Sequence, residues 1–164
     1  IVQKGQPALA QIQLAFGGWV LLDNGELNRR ALREHIFKAP EARKVLEQIT
    51  HPAIRSSIIQ QLQQAASPYA LLASPLLFET SQHELAQRSL LIDASEELQI
   101  QRASQRDGQN PEQIKKIIAA QMPRAQKQQR ANDIVLNDGH LDHLYLHLQP
   151  LHEKYLALAK KQLP

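Results

Sequence analysis

The sequence contains no cysteine and few aromatic residues. Without cysteine the chain has no disulfide and no thiol chemistry, which fits a reducing compartment and leads us to expect a cytoplasmic protein. Aromatic residues make up 4% of the chain, and none lies in the basic stretch from Arg102 to Arg130. Because single-stranded nucleic acids bind by stacking their bases on aromatic rings, we expect no nucleic-acid partner.

The sequence also lacks a hydrophobic run long enough to span a bilayer, so we expect no membrane partner. Gly5, Gln6 and Pro7 interrupt the start of the chain too early for a signal peptide. The formal net charge is only +3, which is consistent with an anionic ligand such as a nucleotide. A chain of 164 residues, 43% of them hydrophobic, can bury a core as one domain with small subdomains at most.

The first 66 residues carry the patterns of helices. Apolar residues recur at helical spacing from Pro7 to Phe16, and the glycines that follow end this helix. Asn28 can cap a second helix, and Pro40 opens a third. Pro52 fits the first position of a further helix, because the N–H that proline lacks is not needed there.

Three short apolar runs in the rest of the chain predict β-strands of the kind that is buried on both faces. These runs span residues 69–73, 89–93 and 133–136. Helices are predicted from Ser95 to Gly108, from Asn110 to Pro123 and from Leu141 onward. Strands that alternate with helices predict an α/β fold with a parallel sheet.

The segment Pro75-Leu76-Leu77-Phe78-Glu79 directly follows the first predicted strand and ends in a carboxylate. Ligands of open α/β sheets bind at the carboxyl ends of the strands, so Glu79 is expected at the active edge. A carboxylate there could order a magnesium-bound water or a substrate hydroxyl. It could equally cap the next helix or stay solvated, and the residues alone favour this second interpretation.

Basic side chains are concentrated between residues 102 and 130. They are Arg102, Arg106, Arg124, Lys127 and Arg130. Phosphoryl transfer spreads negative charge over the transferred group, and cations brought close to it stabilise the transition state. The alternative is a solvated basic face, which is the commoner cause of such clusters. Spacing alone does not separate the two interpretations.

Two smaller clusters also leave alternatives open. Arg29 and Arg33 share a helical face, where they can contact a phosphate or diphosphate, or pair with nearby glutamates. His140, His143 and His147 share another face at offsets compatible with a metal. Because neither cysteine nor a convincing acidic partner accompanies the histidines, we expect ordinary surface residues and no metal site.

Taken in order, these motifs resemble the dephospho-CoA kinase family in its bacterial form. The resemblance runs from Ile1 nearly to Ala159, and order and spacing make it specific, since no single motif would suffice. The motifs are Leu27-Asn28-Arg29 with Ile36-Phe37, His51-Pro52-Ala53-Ile54, Pro75-Leu76-Leu77-Phe78-Glu79, Ala119-Ala120-Gln121 with Arg124, and the stretch from Asp133 to Gly139.

The resemblance implies a P-loop NTPase fold of the nucleotide-kinase type, an α/β parallel sheet flanked by helices with a helical substrate domain and a lid. It divides the chain into a CoA-substrate region over 1–66, a nucleotide-binding core over 67–101 and 131–164, and a lid over 102–130. The implied reaction transfers the γ-phosphoryl group of ATP to the ribose 3′-hydroxyl of dephospho-CoA, with Mg²⁺, as the last step of coenzyme A synthesis. We expect a monomer or weak oligomer.

The resemblance also implies roles for individual residues. The implied catalytic residues are Arg124, Arg106 and Glu79. Arg102 and Arg130 would meet the phosphates of ATP, and Asn137, Asp138 and Gly139 would lie near its adenine. The implied substrate-side residues are Arg29, His51, Pro75 and Leu76, where Arg29 and His51 could instead be scaffold positions.

The phosphate-binding motif GxxxxGK[ST] of this family does not occur in the 164 residues. The resemblance places that loop, its lysine, its Ser/Thr for magnesium and the aspartate expected as base before Ile1. A chain that began at Ile1 is expected to be inactive, and a non-catalytic CoA-binding module is the competing interpretation. The strand that bears the loop is expected between 69–73 and 88–92, which should therefore not be direct neighbours.

Overall fold

The computed structural model describes residues 1–161 and divides the chain into two compact units. The first unit, Ile1–Ala65, is helical, and the second, from Ala66 onward, is α/β. The further division of the second unit into core and lid stays a prediction. No helix within residues 1–161 has both the length and the apolar character needed to cross a membrane.

The first unit contains helices α1 (Pro7–Phe16), α2 (Arg29–Lys38) and α3 (Pro40–Gln64), with a short 3-10 helix after α1. Its core forms around Ile12, Val20 and Leu32, which are all buried. The predicted ends of α1 and α2 are confirmed because their local chemistry is present. Gly17 ends α1 with a φ of 94°, and the Asn28 side chain accepts a hydrogen bond from the Ala31 N–H at 3.1 Å.

The prediction that Pro52 starts a separate helix is wrong. Pro52 lies inside α3, which runs without a break for 25 residues. A proline in a helix interior removes one backbone hydrogen bond and costs about 3 kcal/mol. The turns on both sides of Pro52 outweigh this local loss, and the Thr50 hydroxyl adds a bond to the Leu46 carbonyl at 2.8 Å.

The second unit is built on two parallel strands, β1 (Leu90–Asp93) and β2 (Asp133–Leu136). In their register Leu90 lies opposite Asp133, and Asp93 lies opposite Leu136. The strands are joined and followed by α4 (Glu96–Asp107), α5 (Pro111–Ala119), α6 (Arg124–Arg130) and α7 (Leu141–Lys161). The parallel sheet inferred from alternating strands and helices is thereby confirmed.

Side-chain caps set the starts of α4 and α5, as predicted. Ser95 accepts a hydrogen bond from the Leu98 N–H at 3.2 Å, and Asn110 accepts one from the Glu112 N–H at 2.9 Å. The predicted end of α5 near Pro123 is too late, because the helix stops at Ala119. The residue before a proline is disfavoured in helical conformation, which makes residues 120–123 a linker between α5 and α6.

The predicted strand over residues 69–73 is not formed. Over residues 1–161 the parallel sheet has two strands, and residues 70–74 have no regular structure. An apolar run becomes a strand only when a neighbouring strand supplies hydrogen bonds, and Leu71 is instead 77% exposed. The narrower expectation, that this run does not pair with the segment at 88–92, agrees with the structure, where β1 pairs with β2.

Candidate active site

The carboxyl ends of β1 and β2 meet at Asp93 and Asn137. The backbone N–H of Asn137 donates a hydrogen bond to the Asp93 carbonyl at 2.7 Å. On the other side, Nη1 of Arg102, from α4, donates to the Asn137 carbonyl at 2.6 Å. Asn137, which begins the loop predicted to lie near adenine, is therefore held from both sides by its backbone.

The side chain of Asp93 is buried at this carboxyl edge and accepts hydrogen bonds from side chains of α6. Arg124 donates from Nε to Oδ1 and from Nη2 to Oδ2, both at 2.8 Å. Gln128 donates from Nε2 to Oδ2 at 2.7 Å. Because Arg124 and Gln128 are four residues apart, they share one face of α6 and reach the same carboxylate.

The charge state of Asp93 follows from these contacts. The hydrogen bonds from Arg124 hold the pKa of the Asp93 carboxyl below its ordinary value, although burial acts in the opposite direction, and Gln128 adds to the lowering. The carboxylate is therefore ionised at neutral pH. A carboxylate with a low pKa and occupied oxygens is a poor proton acceptor, so the role that its geometry supports is to orient Arg124.

Arg124 keeps donors for a ligand even though it is bound to Asp93. A guanidinium has N–H groups on Nε and on both Nη atoms, and the pair with Asp93 uses Nε and Nη2. The side chain of Arg124 is 44% exposed, whereas that of Asp93 is 2% exposed. The Nη1 edge therefore keeps donors for a further acceptor, and the pair with Asp93 holds the guanidinium in a fixed orientation.

Glu79 connects the turn at 75–79 to the linker before α6. Its Oε1 accepts a hydrogen bond from the Met122 N–H at 2.9 Å and lies 3.3 Å from Nζ of Lys127. Burial raises the pKa of Glu79, but the bond from Met122 and the charge of Lys127 outweigh burial, so the pKa is lowered overall. Glu79 is thus an ionised carboxylate that does not cap the short 3-10 helix after it, whose cap is Thr80.

Helix α6 is attached to this edge mainly by polar contacts. Its sequence, RAQKQQR, contains no large apolar side chain. Arg124 and Gln128 bind Asp93, Lys127 binds Glu79, and Arg130 donates from Nη1 to the Phe78 carbonyl at 3.4 Å. The basic cluster predicted from the sequence is therefore split, and several of its members already have partners within this unit.

The structure brings together some of the predicted site residues and leaves others apart. Arg102, Arg124 and Asn137 share one network through Asp93. Arg106 lies at the end of α4, where it pairs with its neighbour Asp107 through two hydrogen bonds of 2.7 Å. The remaining residues are exposed. They are Pro75 and Leu76 in the turn, Asp138 and Gly139 after β2, and Arg29 and His51 on helices of the first unit.

Reasoning from the sequence assigned no role to three contributors: the carboxylate of Asp93, the amide of Gln128 and the backbone N–H of Met122. Asp93 had a usable signal, since an acidic residue as the last member of an apolar strand faces the active edge. Gln128 had none, because glutamine recurs throughout α6.

A family model described as dephospho-CoA kinase matches residues 1–143 of this chain. A dephospho-CoA kinase from Acinetobacter baylyi is 71% identical over 156 residues, which cover 95% of this chain and 80% of that protein. Another from Psychrobacter cryohalolentis is 45% identical over 164 residues, covering 98% and 71%. This chain belongs to the dephospho-CoA kinase family.

Solved structures agree with this family assignment. A protein from Thermus thermophilus superposes with a TM-score of 0.72 at 30% identity, covering 89% of this chain and 74% of that one. The dephospho-CoA kinase from Campylobacter jejuni superposes with a TM-score of 0.64 at 27% identity, covering 96% and 78%. The expected α/β fold of the P-loop kinase type, with a parallel sheet flanked by helices, is thereby confirmed.

Proposed function

We propose that this protein transfers the γ-phosphoryl group of ATP to the ribose 3′-hydroxyl of dephospho-CoA, the last step of coenzyme A synthesis. The observation that carries the proposal is the family match over residues 1–143, together with relatives named dephospho-CoA kinase. The polar cluster at the carboxyl edge supports it, because ligands of α/β sheets bind at that edge. We also propose a cytoplasmic location and a monomeric or weakly associated state.

Arg124 is the residue of this chain that we assign to the transferred phosphoryl group. Its guanidinium is fixed by Asp93 and keeps the Nη1 edge for an oxygen of the phosphoryl group. Negative charge accumulates on those oxygens during transfer, so a cation already in position stabilises the transition state more than the ground state. Arg106 and Arg130 are proposed as further contacts with the phosphates.

The nucleotide side of the reaction is assigned to Arg102 and the loop that begins at Asn137. Arg102 holds the Asn137 carbonyl, and Asp138 and Gly139 follow in an exposed bend. Backbone groups in this bend are available to the edge of an adenine ring. A fixed loop loses less conformational freedom on binding than a mobile one, so this arrangement favours nucleotide affinity.

Magnesium is proposed to arrive bound to ATP. Mg²⁺ in kinases keeps several waters and takes one or two carboxylates besides the phosphates. Residues 1–161 contain no group of three His, Cys, Asp or Glu that could hold a metal unaided, so the residues present fit that phosphate-dependent mode. Glu79 is the carboxylate we assign to a magnesium-bound water. When bound, the ion would neutralise charge on the phosphates.

The substrate side is assigned to Arg29, with His51, Pro75 and Leu76 as further contacts. Arg29 and Arg33 are one turn apart on α2, and within residues 1–161 neither forms an ion pair. The neighbouring Arg30 instead binds Glu34 at 3.1 Å. Two unpaired guanidinium groups on one face suit the diphosphate of dephospho-CoA. Arg30 is the natural control for variants at Arg29.

The test is an ADP-release assay on the full-length protein with ATP, Mg²⁺ and dephospho-CoA. Adenosine and pantothenate serve as control acceptors, because each offers a hydroxyl without the rest of the substrate. Mass spectrometry and phosphorus NMR should identify the product as coenzyme A carrying the new phosphate at the 3′ position. Binding of dephospho-CoA without turnover would favour a non-catalytic module, and turnover of another acceptor alone would exclude the assignment.

A further inference from the structure

One buried charged residue of the second unit was assigned no role from the sequence. Asp93 stands out among residues 1–161 as a buried acidic side chain, and both its side chain and its backbone have partners at the carboxyl edge. Its carboxylate accepts bonds from Arg124 and Gln128 of α6. Its carbonyl accepts the Asn137 N–H at 2.7 Å. The same residue thus contacts the phosphoryl side and the nucleotide side of the site.

We propose that Asp93 is a positioning residue for phosphoryl transfer, which sets the orientation of the Arg124 guanidinium and ties it to the loop at Asn137. The proposal rests on the proposed function, because it assumes that Arg124 binds the phosphoryl group that is transferred to dephospho-CoA. Asp93 itself contacts neither substrate in this account. It acts through Arg124.

The physical reason is preorganisation. A free arginine side chain samples many rotamers, and all but one must be given up when the phosphoryl group is bound, which costs conformational entropy. The two parallel bonds to Asp93 remove that freedom in advance and fix the plane of the guanidinium. Gln128 binds Oδ2 as well, so the carboxylate cannot turn without losing a second partner. A misplacement of a catalytic group by about 1 Å can cost about 100-fold in rate.

The competing explanation is that Asp93 is only a structural ion pair. The chain offers a control, because Asp133 is a second carboxylate of low exposure in the same two strands, and it binds Arg88 through both oxygens. The side chains of Asp93 and Asp133 are 2% and 7% exposed, and those of their arginines are 44% and 34% exposed. Burial and the pair with arginine are thus closely matched. The two carboxylates differ in the end of the sheet that they occupy and in their other partners, which are Gln128 for Asp93 and Lys154 with Tyr155 for Asp133.

The experiment compares Asp93→Asn with Asp133→Asn in the full-length protein. We expect Asp93→Asn to lower kcat by about 10- to 100-fold while the KM for dephospho-CoA changes by less than about twofold. We expect Asp133→Asn to lower the melting temperature, with kcat within about twofold of wild type when both are assayed well below the transition. Equal loss of kcat in both variants would overturn the proposal.

Two further measurements keep the proposal testable if Asp93→Asn lowers kcat only because the variant misfolds. Gln128→Met keeps the length of the side chain but removes the donor, and we expect it to lower kcat several-fold without change in the KM for dephospho-CoA. Asp93→Asn should add little to Arg124→Ala in the double variant, because both act through one guanidinium. Unchanged kcat in Gln128→Met or independent, additive losses would overturn the proposal.

The outcomes separate this inference from the proposed function. If the wild type turns over dephospho-CoA and the Asp93 variants behave like the Asp133 control, the function stands and the inference is wrong. If the wild type shows no turnover with dephospho-CoA, both are wrong.

Discussion

Asp93 and Asp133 lie at opposite ends of the same two strands. Asp93 is the last residue of β1, and Asp133 is the first residue of β2. Each carboxylate has low exposure and binds an arginine through both oxygens. They differ in their other partners, because Asp133 also accepts bonds from Lys154 at 2.7 Å and from the Tyr155 hydroxyl at 2.9 Å.

The helices that carry these partners differ more than the carboxylates do. Helix α7 has 21 residues with an apolar stripe, and its Tyr155 ring packs edge-on against Tyr69 with centroids 5.8 Å apart. Helix α6 has seven residues and no large apolar side chain. Apolar packing therefore supports α7 besides its bonds to Asp133, whereas α6 depends mainly on polar bonds. A helix held mainly by polar bonds opens at a lower free energy than one that is also packed through apolar side chains.

The largest effect on kcat is expected at Arg124, the arginine that binds Asp93. Arg124→Ala is expected to lower kcat by about 100-fold or more, with a smaller change in the KM for dephospho-CoA, because the charge it removes acts mainly in the transition state. Arg88→Ala is the matched control and should change kcat little. Steady-state kinetics with varied dephospho-CoA at saturating ATP measures both.

Two results with these arginine variants would contradict the contrast between the Asp93 end and the Asp133 end of the sheet. Loss of kcat with Arg88→Ala, measured at a temperature where that variant is folded, would show that the amino end of the sheet is coupled to catalysis. Unchanged kcat with Arg124→Ala would mean that Arg124 has no part in catalysis. It would then belong to a solvated basic surface and serve only as the ion-pair partner of Asp93.

The next effect is one of stability. Asp133→Asn should lower the free energy of unfolding by about 2 kcal/mol at neutral pH, since a carboxylate of low exposure with three charged or hydroxyl partners loses its charge. Urea unfolding followed by circular dichroism measures it. Asp142→Asn, an exposed acid on α7, is the control, and an equal effect there would contradict the account of Asp133.

The same variant should flatten the acid side of the stability profile. Arg88, with Lys154 and Tyr155, holds the pKa of the Asp133 carboxyl far below its ordinary value, although burial opposes them. A lowered pKa in the folded state contributes stability that is present above about pH 4 and is lost as the pH falls toward the folded value. Wild type should therefore lose stability faster than Asp133→Asn below about pH 4.

A smaller effect on kcat is expected at Glu79, the second carboxylate that binds α6. Glu79→Gln should lower kcat by about tenfold, because the amide cannot bind a magnesium-bound water as strongly as a carboxylate. Stability should change by less than about 1 kcal/mol, since the bond from the Met122 N–H can be kept and the pair with Lys127 is partly exposed.

The control for Glu79 is Glu84→Gln, an exposed acid a few residues later, which should leave kcat unchanged. If kcat of Glu79→Gln also stays unchanged while α6 becomes easier to unfold by hydrogen exchange, Glu79 serves only to attach the helix. Of the two carboxylates that bind α6, Glu79 would then be structural and Asp93 alone would act in catalysis.

The starts of helices that carry a capping side chain were predictable because their determinants are local. Asn28, Ser95 and Asn110 each cap a helix through an N–H two or three residues away, so a short window of sequence contains both partners. The strand predicted at 69–73 failed for the opposite reason. A strand is completed by hydrogen bonds from another segment, and the apolar run does not say whether one is there.

The core of the site was harder to predict for the same physical reason. Arg124 and Gln128 are 31 and 35 residues from Asp93 along the chain. Sequence spacing identified Arg124 as a candidate cation, but it could not show that a buried carboxylate fixes it. The family resemblance supplied the reaction and the edge of the sheet, and the contacts of Asp93 had to be read from the fold.

The smallest effect is expected at the Tyr155 hydroxyl, which tests how far Asp133 is a structural group. Tyr155→Phe removes the hydrogen bond of 2.9 Å to Asp133 but keeps the ring. Two cations remain to bind the carboxylate, so the loss should be about 1 kcal/mol at pH 8 with kcat unchanged. Tyr145→Phe, on the same helix and 61% exposed, is the control and should change neither quantity.

The pH dependence of that loss tests the surroundings of the Tyr155 hydroxyl. Burial, and then the hydrogen bond to Asp133, raise the pKa of Tyr155 from its ordinary value of 10 to about 12. A raised pKa in the folded state contributes stability that is fully present below pH 10 and is lost as the pH rises toward 12. The difference in unfolding free energy between wild type and Tyr155→Phe should therefore shrink over that interval. A difference that instead stays constant or grows between pH 10 and pH 11 would contradict the raised pKa of the Tyr155 hydroxyl, and with it the burial and the bond to Asp133 that we hold responsible.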